Sequence, residues 1–330
     1  MSKADLPIKQ MRVKDFLALP ELSGFSDKLF VPLPPLLEFF ARHTTLGAQD
    51  RSSPHADILK GLNRIMELRQ AGCPVYYAID ESKSEYLFHF PGRDGAKCVV
   101  VVPGGGYASV CSLWEGFPIA ARLNELGYHA VVVNYRTGKE AHFPNPHDDL
   151  AAAIRFMLEH AKEWKIDASG YALMGFSAGG HLAGSFATPA VGYARYGLPK
   201  PACMMLSYPV VTMGEQTHRD SRRNLLGREN ERNAELIARY SIERQVTPDY
   251  PKTFLWQCER DNVVPFENAK LLKSAFDRCG IRYAFASFPG KAHGWGLAKG
   301  QSAEGWLDRA AAFWESDGTQ GTETRKDRTT

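Results

Sequence analysis

The 330-residue sequence predicts an α/β fold with a mostly parallel, doubly wound sheet and helices on both faces. Three observations support this prediction. From Lys97 onward, short uninterrupted apolar runs alternate with longer amphipathic segments. The apolar residues of the longer segments recur at three- and four-residue steps, as on one face of a helix. Strand, helix and strand repeated in this order is typical of a sheet with crossover helices.

Six short apolar runs are the predicted strands of the parallel sheet. Two earlier segments, Val75–Ile79 and Glu85–Phe90, flank a polar stretch and predict a hairpin at the sheet edge. Because ligands bind at the carboxyl ends of parallel strands, the residues after each run are the candidates for chemistry. The six runs are Cys98–Val102, Ala130–Asn134, Tyr171–Met174, Ala202–Ser207, Thr253–Cys258 and Tyr283–Phe288.

Helical periodicity predicts the elements between these strands. Four amphipathic segments carry it, and the last of them closes the pattern near the end of the chain. Their periodic apolar residues are Ile119, Leu123 and Leu126, then Leu150, Ile154, Met157 and Leu158, then Ala269, Leu272 and Phe276, and finally Trp306, Ala310 and Phe313.

The chain divides into three predicted parts. Residues 1–72 do not follow the strand and helix alternation and are predicted to be an accessory extension that ends in a helix over Ala56–Gln70. Residues 73–315 form the main domain, with an insertion at 211–249 over the carboxyl edge of the sheet. The polar tail 316–330 is predicted to be disordered. The extension is too short to support its own core, so its apolar side chains need the main domain or a second subunit as partner. A homo-oligomer is therefore one expectation.

Composition excludes several classes of partner. Forty Lys and Arg against 37 Asp and Glu give a formal net charge of +3, too small to predict binding to nucleic acid. No apolar run approaches the roughly 18 residues of a membrane span. The first ten residues lack the apolar core of a secretory signal, so we expect a cytoplasmic protein. The six cysteines include no Cys-x-x-Cys pair, and we expect reduced thiols and no metal site.

The pattern Gly-x-Ser-x-Gly occurs at Gly175–Gly179, directly after a predicted strand. Between a strand and a helix, this pattern places the serine on a sharp turn whose flanking positions have no room for side chains. Ser177 is therefore the candidate nucleophile. The N–H of Ala178, at the start of the next helix, is suited to stabilising an oxyanion. A glycine-rich turn with an inert serine is the alternative that this motif alone leaves open.

A second glycine run, Gly104–Gly106, follows the first predicted strand of the parallel sheet. It matches the position of the HGGG oxyanion loop, with Pro103 where histidine is usual. Gly105 and Gly106 are the candidate donors from this loop. A phosphate-binding loop would need Lys followed by Ser or Thr after its last glycine, and this sequence has none.

Carboxylates and a histidine follow the last two predicted strands. Glu259 and Asp261 stand after one strand, and His293 lies in a glycine-rich loop after the other. The chain order serine, acid, histidine is one of the known orders of a hydrolytic triad. We expect His293 to accept the proton of Ser177 and Asp261 to orient the imidazole, with Glu259 as the rival acid. His181, one turn into the helix after Ser177, is expected to be structural.

With these motifs the sequence resembles the α/β-hydrolase esterases of the hormone-sensitive-lipase-like group, and within it bacterial acetylxylan and feruloyl esterases. The resemblance covers about residues 85–315. It implies ester hydrolysis through an acyl-enzyme, with no metal or organic cofactor and with Ser177, Asp261 and His293 at the triad positions. The matching phrases are PGGGY at Pro103–Tyr107, EGFPIAARLNELGY at Glu115–Tyr128, NYR at Asn134–Arg136, MGFSAGGHLA at Met174–Ala183, NLLG at Asn224–Gly227, QVTPDYPKTFLW at Gln245–Trp256, DNVVPFENA at Asp261–Ala269 and AHGWGL at Ala292–Leu297.

The sequence departs from this family in two ways. The extension before residue 75 has no counterpart in the family pattern, and the export signal of a secreted polysaccharide esterase is missing. We therefore expect a small soluble acetylated or aromatic ester as substrate, in preference to polymeric xylan.

Aromatic and basic side chains near the predicted catalytic loops are candidates for substrate binding. Tyr107, Trp114 and Trp295 could form apolar or sugar-stacking walls, and core packing explains them equally well. His218 in the insertion could line the pocket mouth. The neighbouring arginines at 219, 222 and 223 could join it, or could belong to a solvated basic helix.

Two further functions share the same residues. An amidase or peptidase would use the same triad, and a ligand receptor could use the hydrolase fold without catalysis. A receptor of that kind is expected to have a broken triad, whereas all three members are present here.

Overall fold

One central sheet organises the computed structural model, which describes residues 8–83, 85–291 and 293–316. The described residues form eight strands in this sheet, and valine-rich runs such as β3 suit its buried centre. The strands are β1 (Tyr76–Asp80), β2 (Glu85–Phe90), β3 (Lys97–Val102), β4 (His129–Asn134), β5 (Asp167–Phe176), β6 (Cys203–Ser207), β7 (Thr253–Cys258) and β8 (Tyr283–Phe288).

The spatial order of the strands is β1-β2-β4-β3-β5-β6-β7-β8. Pairing is antiparallel between β1 and β2 and between β2 and β4, and parallel from β4 through β8. The predicted edge hairpin and the mostly parallel sheet are thus both confirmed. The topology is that of the α/β-hydrolase fold. The carboxyl ends of β3, β5, β7 and β8 lie along one edge.

Helices cover both faces of the sheet. Helices α4, α6 and α13 lie on one face, and α7, α8 and α12 lie on the other. The helices of the described residues are α1 (Val13–Leu17), α2 (Pro35–His43), α3 (Leu46–Ser52), α4 (Ile58–Gln70), α5 (Ser112–Glu115), α6 (Phe117–Glu125), α7 (Asn145–Glu159), α8 (Ser177–Phe186), α9 (Arg219–Leu226), α10 (Ala234–Tyr240), α11 (Ile242–Gln245), α12 (Glu267–Cys279) and α13 (Trp306–Glu315).

Most element boundaries agree with the prediction, and β7 and β8 agree to the residue. The largest difference in the sheet is at β5, which begins at Asp167 instead of Tyr171 because Asp167 pairs with Lys97 beyond a register shift. The polar run 44–55 contains the unpredicted helix α3, where the Thr45 hydroxyl accepts the Ala48 N–H at 3.2 Å.

Two apolar clusters fill the space between sheet and helices. In β3, Val100 and Val102 belong to one cluster, and Val99 and Val101 belong to the other. This alternation follows from the two-residue period of a strand. The central strands are therefore buried on both sides, which explains their uninterrupted apolar sequence.

The N-terminal segment 8–72 packs on the face that carries Val99. Phe16 and Leu29 are buried there. These apolar side chains of the segment thus have the partner surface that the sequence analysis expects. Helix α2 differs, because its four large apolar side chains are between 56% and 68% exposed. They are Leu36, Leu37, Phe39 and Phe40. That this segment is an accessory unit remains a prediction.

The ends of the chain lie mostly outside the described residues. Of the predicted disordered tail 316–330, only Ser316 is described, and its carbonyl oxygen accepts hydrogen bonds from Lys252 and Arg282. All six cysteines are free thiols. In the described part of the chain, no helix has both the length and the apolar character that a membrane crossing requires.

Candidate active site

The turn between β5 and α8 holds Ser177 in a left-handed backbone conformation, with φ at 52°. A Cβ on Gly175 would lie 2.4 Å from the Gly179 carbonyl oxygen, and a Cβ on Gly179 would lie 2.3 Å from the Pro103 carbonyl oxygen. Side chains at these positions are therefore excluded by backbone atoms, as the motif predicts. The serine carries the strain of the turn, which is typical of a functional site.

Two short hydrogen bonds join the three predicted triad residues. His293 Nε2 lies 2.7 Å from Ser177 Oγ, and His293 Nδ1 lies 2.7 Å from Asp261 Oδ2. The side chains of His293 and Asp261 are 11% and 0% exposed. The imidazole therefore bridges a buried carboxylate and a hydroxyl, which is the geometry of a base with its orienting acid.

The loop after β7 holds the Asp261 carboxylate in place. Its Oδ1 accepts the N–H groups of Val263 and Val264 at 2.9 and 3.0 Å, and its Oδ2 accepts Gln257 Nε2 at 3.3 Å. The rival acid, Glu259, is exposed and accepts a hydrogen bond from the Ser287 hydroxyl. The structure thus brings Asp261, and not Glu259, to the histidine.

The glycine loop after β3 passes directly over Ser177. A Cβ on Gly104 would lie 2.8 Å from Ser177 Cβ. Gly105 has a φ of +130°, and its carbonyl oxygen accepts the N–H groups of Ala108 and Ser109. No backbone carbonyl of the described residues accepts the N–H of Gly105 or Gly106. That these two N–H groups donate to a ligand near the serine remains a prediction.

The third predicted donor, Ala178, lies in the first turn of α8. The N–H groups of a first helical turn have no acceptor within the helix, and they carry the positive end of the helix dipole. The N–H of Ala178 therefore has no acceptor within α8, and its contribution to an oxyanion site beside Ser177 remains a prediction.

Two side chains that the sequence analysis did not single out connect these loops. Glu115 accepts the Gly104 N–H at 2.8 Å and the Tyr208 O–H at 2.8 Å. The Tyr208 ring stands edge-on to the imidazole of His293, with 4.7 Å between ring centroids. The available signal was a lone carboxylate, Glu115, within an otherwise apolar stretch from Leu113 to Ala121.

His181 and Tyr107 lie in the interior of the protein. His181 is fully buried, with Nδ1 at 2.8 Å from the Tyr107 hydroxyl and Nε2 at 2.7 Å from the Tyr240 carbonyl oxygen. Burial lowers its pKa to about 4. Tyr107 is also fully buried. Of the two interpretations of Tyr107, packing beneath the glycine loop is the one that this placement favours.

The other candidate substrate contacts differ in exposure. Trp295 is 6% exposed and packs in the core, and Trp114 is half-buried on a cleft of about 420 Å³ that the N-terminal segment also lines. His218 is half-buried, and its Cε1 lies 3.7 Å from a Cβ built on Gly106. His218 is therefore placed against the glycine loop.

The predicted insertion 211–249 carries α9, α10 and α11. Asn224 Nδ2 donates to the Gly106 carbonyl oxygen at 2.9 Å, so α9 is attached to the glycine loop. Arg222 donates to the carbonyl oxygens of Met213 and Gly214, and Arg223 pairs with Asp220 and Glu231. These two arginines are thus engaged within the insertion.

Comparison with known proteins relates the chain to esterases. The BD-FAE family model matches residues 87–191. Over 234 residues the chain is 38% identical to an endo-1,4-beta-xylanase B of Butyrivibrio fibrisolvens, covering 67% of this chain and 36% of that protein. Over 221 residues it is 31% identical to an acetylxylan esterase of Xylanibacter ruminicola, covering 66% and 45%. The chain therefore spans less than half the length of either relative.

A solved structure covers the same region. The acetyl ester-xyloside bifunctional hydrolase of Caldicellulosiruptor lactoaceticus matches with a TM-score of 0.64 and 30% identity, over 72% of this chain and 90% of that one. The resemblance that the motifs predicted is thereby confirmed.

Proposed function

We propose, since the chain belongs to the α/β-hydrolase esterases, that it is a serine carboxylesterase acting on short acyl or aromatic esters. The observation that carries the proposal is the line of two 2.7 Å hydrogen bonds from Asp261 through His293 to Ser177. In this arrangement the histidine can act as a base toward the serine hydroxyl. An unassisted serine hydroxyl is too weak an acid to become a nucleophile at neutral pH.

Acylation would begin when Ser177 Oγ attacks the ester carbonyl carbon while His293 Nε2 accepts the serine proton. The carbonyl π electrons move to oxygen and form a tetrahedral oxyanion. Asp261 stabilises the imidazolium through Nδ1–H. The oxyanion then re-forms the carbonyl, the bond to the alcohol oxygen breaks, and His293 returns the proton to the leaving alcohol. The product of this half-reaction is an ester of Ser177.

The oxyanion would be held by backbone N–H groups from two elements. Gly105 and Gly106 contribute from the glycine loop, and Ala178 contributes from the first turn of α8. Fixed donors of this kind are worth several kcal/mol in the transition state, about 2.7–4 for a single donor. The contact between Gly104 and Ser177 supports this part of the proposal, because it places the glycine loop next to the start of α8.

Deacylation would reverse the roles with water as nucleophile. His293 accepts a proton from water, hydroxide oxygen bonds to the acyl carbon, and the bond to Ser177 Oγ breaks as the serine regains its proton. The carboxylic acid leaves. Both half-reactions are completed by Ser177, His293 and Asp261 with the backbone donors.

The substrate class is supported by the relatives. One is named an acetylxylan esterase, and another an acetyl ester-xyloside hydrolase. We infer that this chain also hydrolyses acetyl esters, and that the leaving group is a small soluble alcohol.

A substrate screen tests this proposal. We expect p-nitrophenyl acetate to be hydrolysed faster than longer acyl esters, with acetylated sugars and methyl ferulate measured alongside. A matched p-nitroanilide is the control for amide cleavage and should turn over far more slowly. Comparable rates on the anilide would favour the amidase, and no turnover of any ester would favour a non-catalytic receptor.

A further inference from the structure

Glu115 is a buried carboxylate next to the candidate triad. The residue is 4% exposed, and its two oxygens accept from different elements: Oε2 from the Gly104 N–H and Oε1 from the Tyr208 O–H, both at 2.8 Å. A buried carboxylate is costly unless its oxygens are paired. Glu115 therefore anchors the start of the glycine loop, one residue before the candidate donor Gly105.

Tyr208 continues this connection to the histidine loop. Its hydroxyl donates to Glu115 and accepts the Gly296 N–H at 3.1 Å, and its ring packs edge-on against His293. Its φ is 38°, an uncommon value for a residue with a Cβ. Its N–H donates to the Trp256 carbonyl oxygen at 2.7 Å, which holds the strained backbone in place.

We propose that Glu115 and Tyr208 are a positioning pair for the hydrolytic reaction, and that the Glu115 carboxylate also stabilises the imidazolium of His293. The proposal rests on the proposed function. Through this pair, the loop that donates to the oxyanion and the loop that carries the base are held to one another. A Cβ on Gly294, the residue after the base, would lie 3.9 Å from Glu115 Oε1.

The surrounding charges support the second role. Burial raises the pKa of Glu115, while His293 and the hydrogen bonds from Tyr208 and Gly104 oppose the rise. Glu115 also interacts with Cys111, whose pKa burial raises to about 12, and with Tyr135, whose pKa burial raises as well. Of the titratable groups coupled to Glu115 in the described part of the chain, His293 is the one that can become a cation.

The substitution Glu115→Gln removes the negative charge and keeps nearly the same side-chain shape. The amide has nearly the same size, but its NH₂ group must face either the Gly104 N–H or the Tyr208 hydroxyl, both of which donate to the carboxylate in the structure. One loop contact is therefore weakened. The loss of negative charge also destabilises the imidazolium of His293.

The test is a pH profile of kcat and KM on p-nitrophenyl acetate for the full chain. For Glu115→Gln we expect kcat to fall about tenfold or more, with KM within about twofold of the wild type. Because a base must be neutral to act, the acid limb of kcat/KM should move to lower pH, by on the order of 0.5–1 unit. A purely structural role would lower activity or stability without moving this limb.

Two further variants complete the design. Tyr208→Phe keeps the carboxylate and removes the hydroxyl, so we expect a fall in kcat of about fivefold or more with the acid limb unmoved. Glu163→Gln, at an exposed carboxylate between α7 and the start of β5, lies at the end of β5 opposite Ser177. It is the matched control and should behave as wild type.

The results that would overturn the proposal are specific. An unmoved acid limb in folded Glu115→Gln would refute the electrostatic role, and wild-type kcat in both variants would refute the pair. If Glu115→Gln does not fold, wild-type kcat in Tyr208→Phe refutes the pair by itself. An inactive wild-type enzyme would instead refute the proposed function, on which this inference rests.

Discussion

The turn that carries Ser177 and the N-terminal segment 8–72 reach their structures in different ways. The turn is set mainly by its own residues, since a Cβ on Gly175 would meet the Gly179 carbonyl oxygen. Backbone atoms outside it, among them the Pro103 carbonyl oxygen, exclude a side chain at Gly179. The N-terminal segment depends on remote partners. A Cβ on Gly61 of α4 would meet the backbone of Phe117, and Arg64 donates to Asn124 Oδ1 at 2.9 Å.

The two regions also differ in what their side chains face. Every residue of α8 is buried, whereas α2 presents its large apolar side chains to solvent. These differences teach that a short motif predicts the position of the candidate nucleophile, whereas packing against distant residues places the extension. We therefore expect substitutions at the triad to abolish activity without unfolding the protein, and substitutions in the extension to act on stability.

The largest effect is expected for Ser177→Ala. Without Oγ no acyl-enzyme can form, so kcat should fall by roughly 10⁴ to 10⁶ on p-nitrophenyl acetate. The thermal unfolding midpoint should change little, because the alanine removes one hydroxyl. A variant that keeps more than about a tenth of the wild-type rate would refute the assignment of the nucleophile.

The next effect distinguishes the two carboxylates after β7. Asp261→Asn should lower kcat by on the order of 10⁴-fold at neutral pH, because the amide no longer stabilises the imidazolium or selects its tautomer. Glu259→Gln is the matched control and should cost little, since that side chain is exposed. Initial rates of ester hydrolysis, measured at several pH values around neutrality, give kcat for both variants. The reverse ranking would assign the acid to Glu259.

A smaller effect, on stability, is expected at the contact between the extension and α6. In Gly61→Ala the new methyl would lie 2.6 Å from Phe117 backbone and Cβ atoms, so the free energy of unfolding should fall by about 1–3 kcal/mol. Asn63→Ala, at an exposed site on the same helix, is the control and should stay within about 0.5 kcal/mol. Urea denaturation measures both. Equal stability of the two variants would mean that the contact between Gly61 and Phe117 accommodates a methyl group without strain, which would contradict the prediction.

The smallest effect is expected on the outer face of α2. Phe40 is 59% exposed, so Phe40→Ser should change the free energy of unfolding by no more than about 0.5 kcal/mol. Urea denaturation and sedimentation, run on the variant and the wild type, provide the measurement. A larger loss accompanied by a change in oligomeric state would show that a second subunit covers this face in solution.

Strong local signals made much of the fold and the site predictable from sequence. Apolar runs placed the parallel strands, and the residues after them included Ser177, Asp261 and His293 in the right order. The triad contact itself is not encoded by any single run, and it was inferred from the sheet rule that strand ends meet at one edge.

Residues whose roles depend on remote contacts were not predictable in this way. Helix α3 lies in a polar run with no apolar periodicity, so no sequence pattern predicts it. No local pattern predicts the roles of Glu115 and Tyr208, because their partners are distant in the chain. Tyr107 stands in the glycine loop motif, but only the packing shows that its hydroxyl binds His181.

Covalent trapping of the nucleophile tests the central claim most directly. The full chain is incubated with diethyl p-nitrophenyl phosphate, and the digested protein is analysed by mass spectrometry, with Ser177→Ala in parallel. The account predicts one diethylphosphoryl group on the peptide that contains Ser177, concurrent loss of esterase activity, and no adduct in the variant. An active wild-type enzyme that is not labelled at Ser177, or that is inactivated by labelling elsewhere, would contradict it.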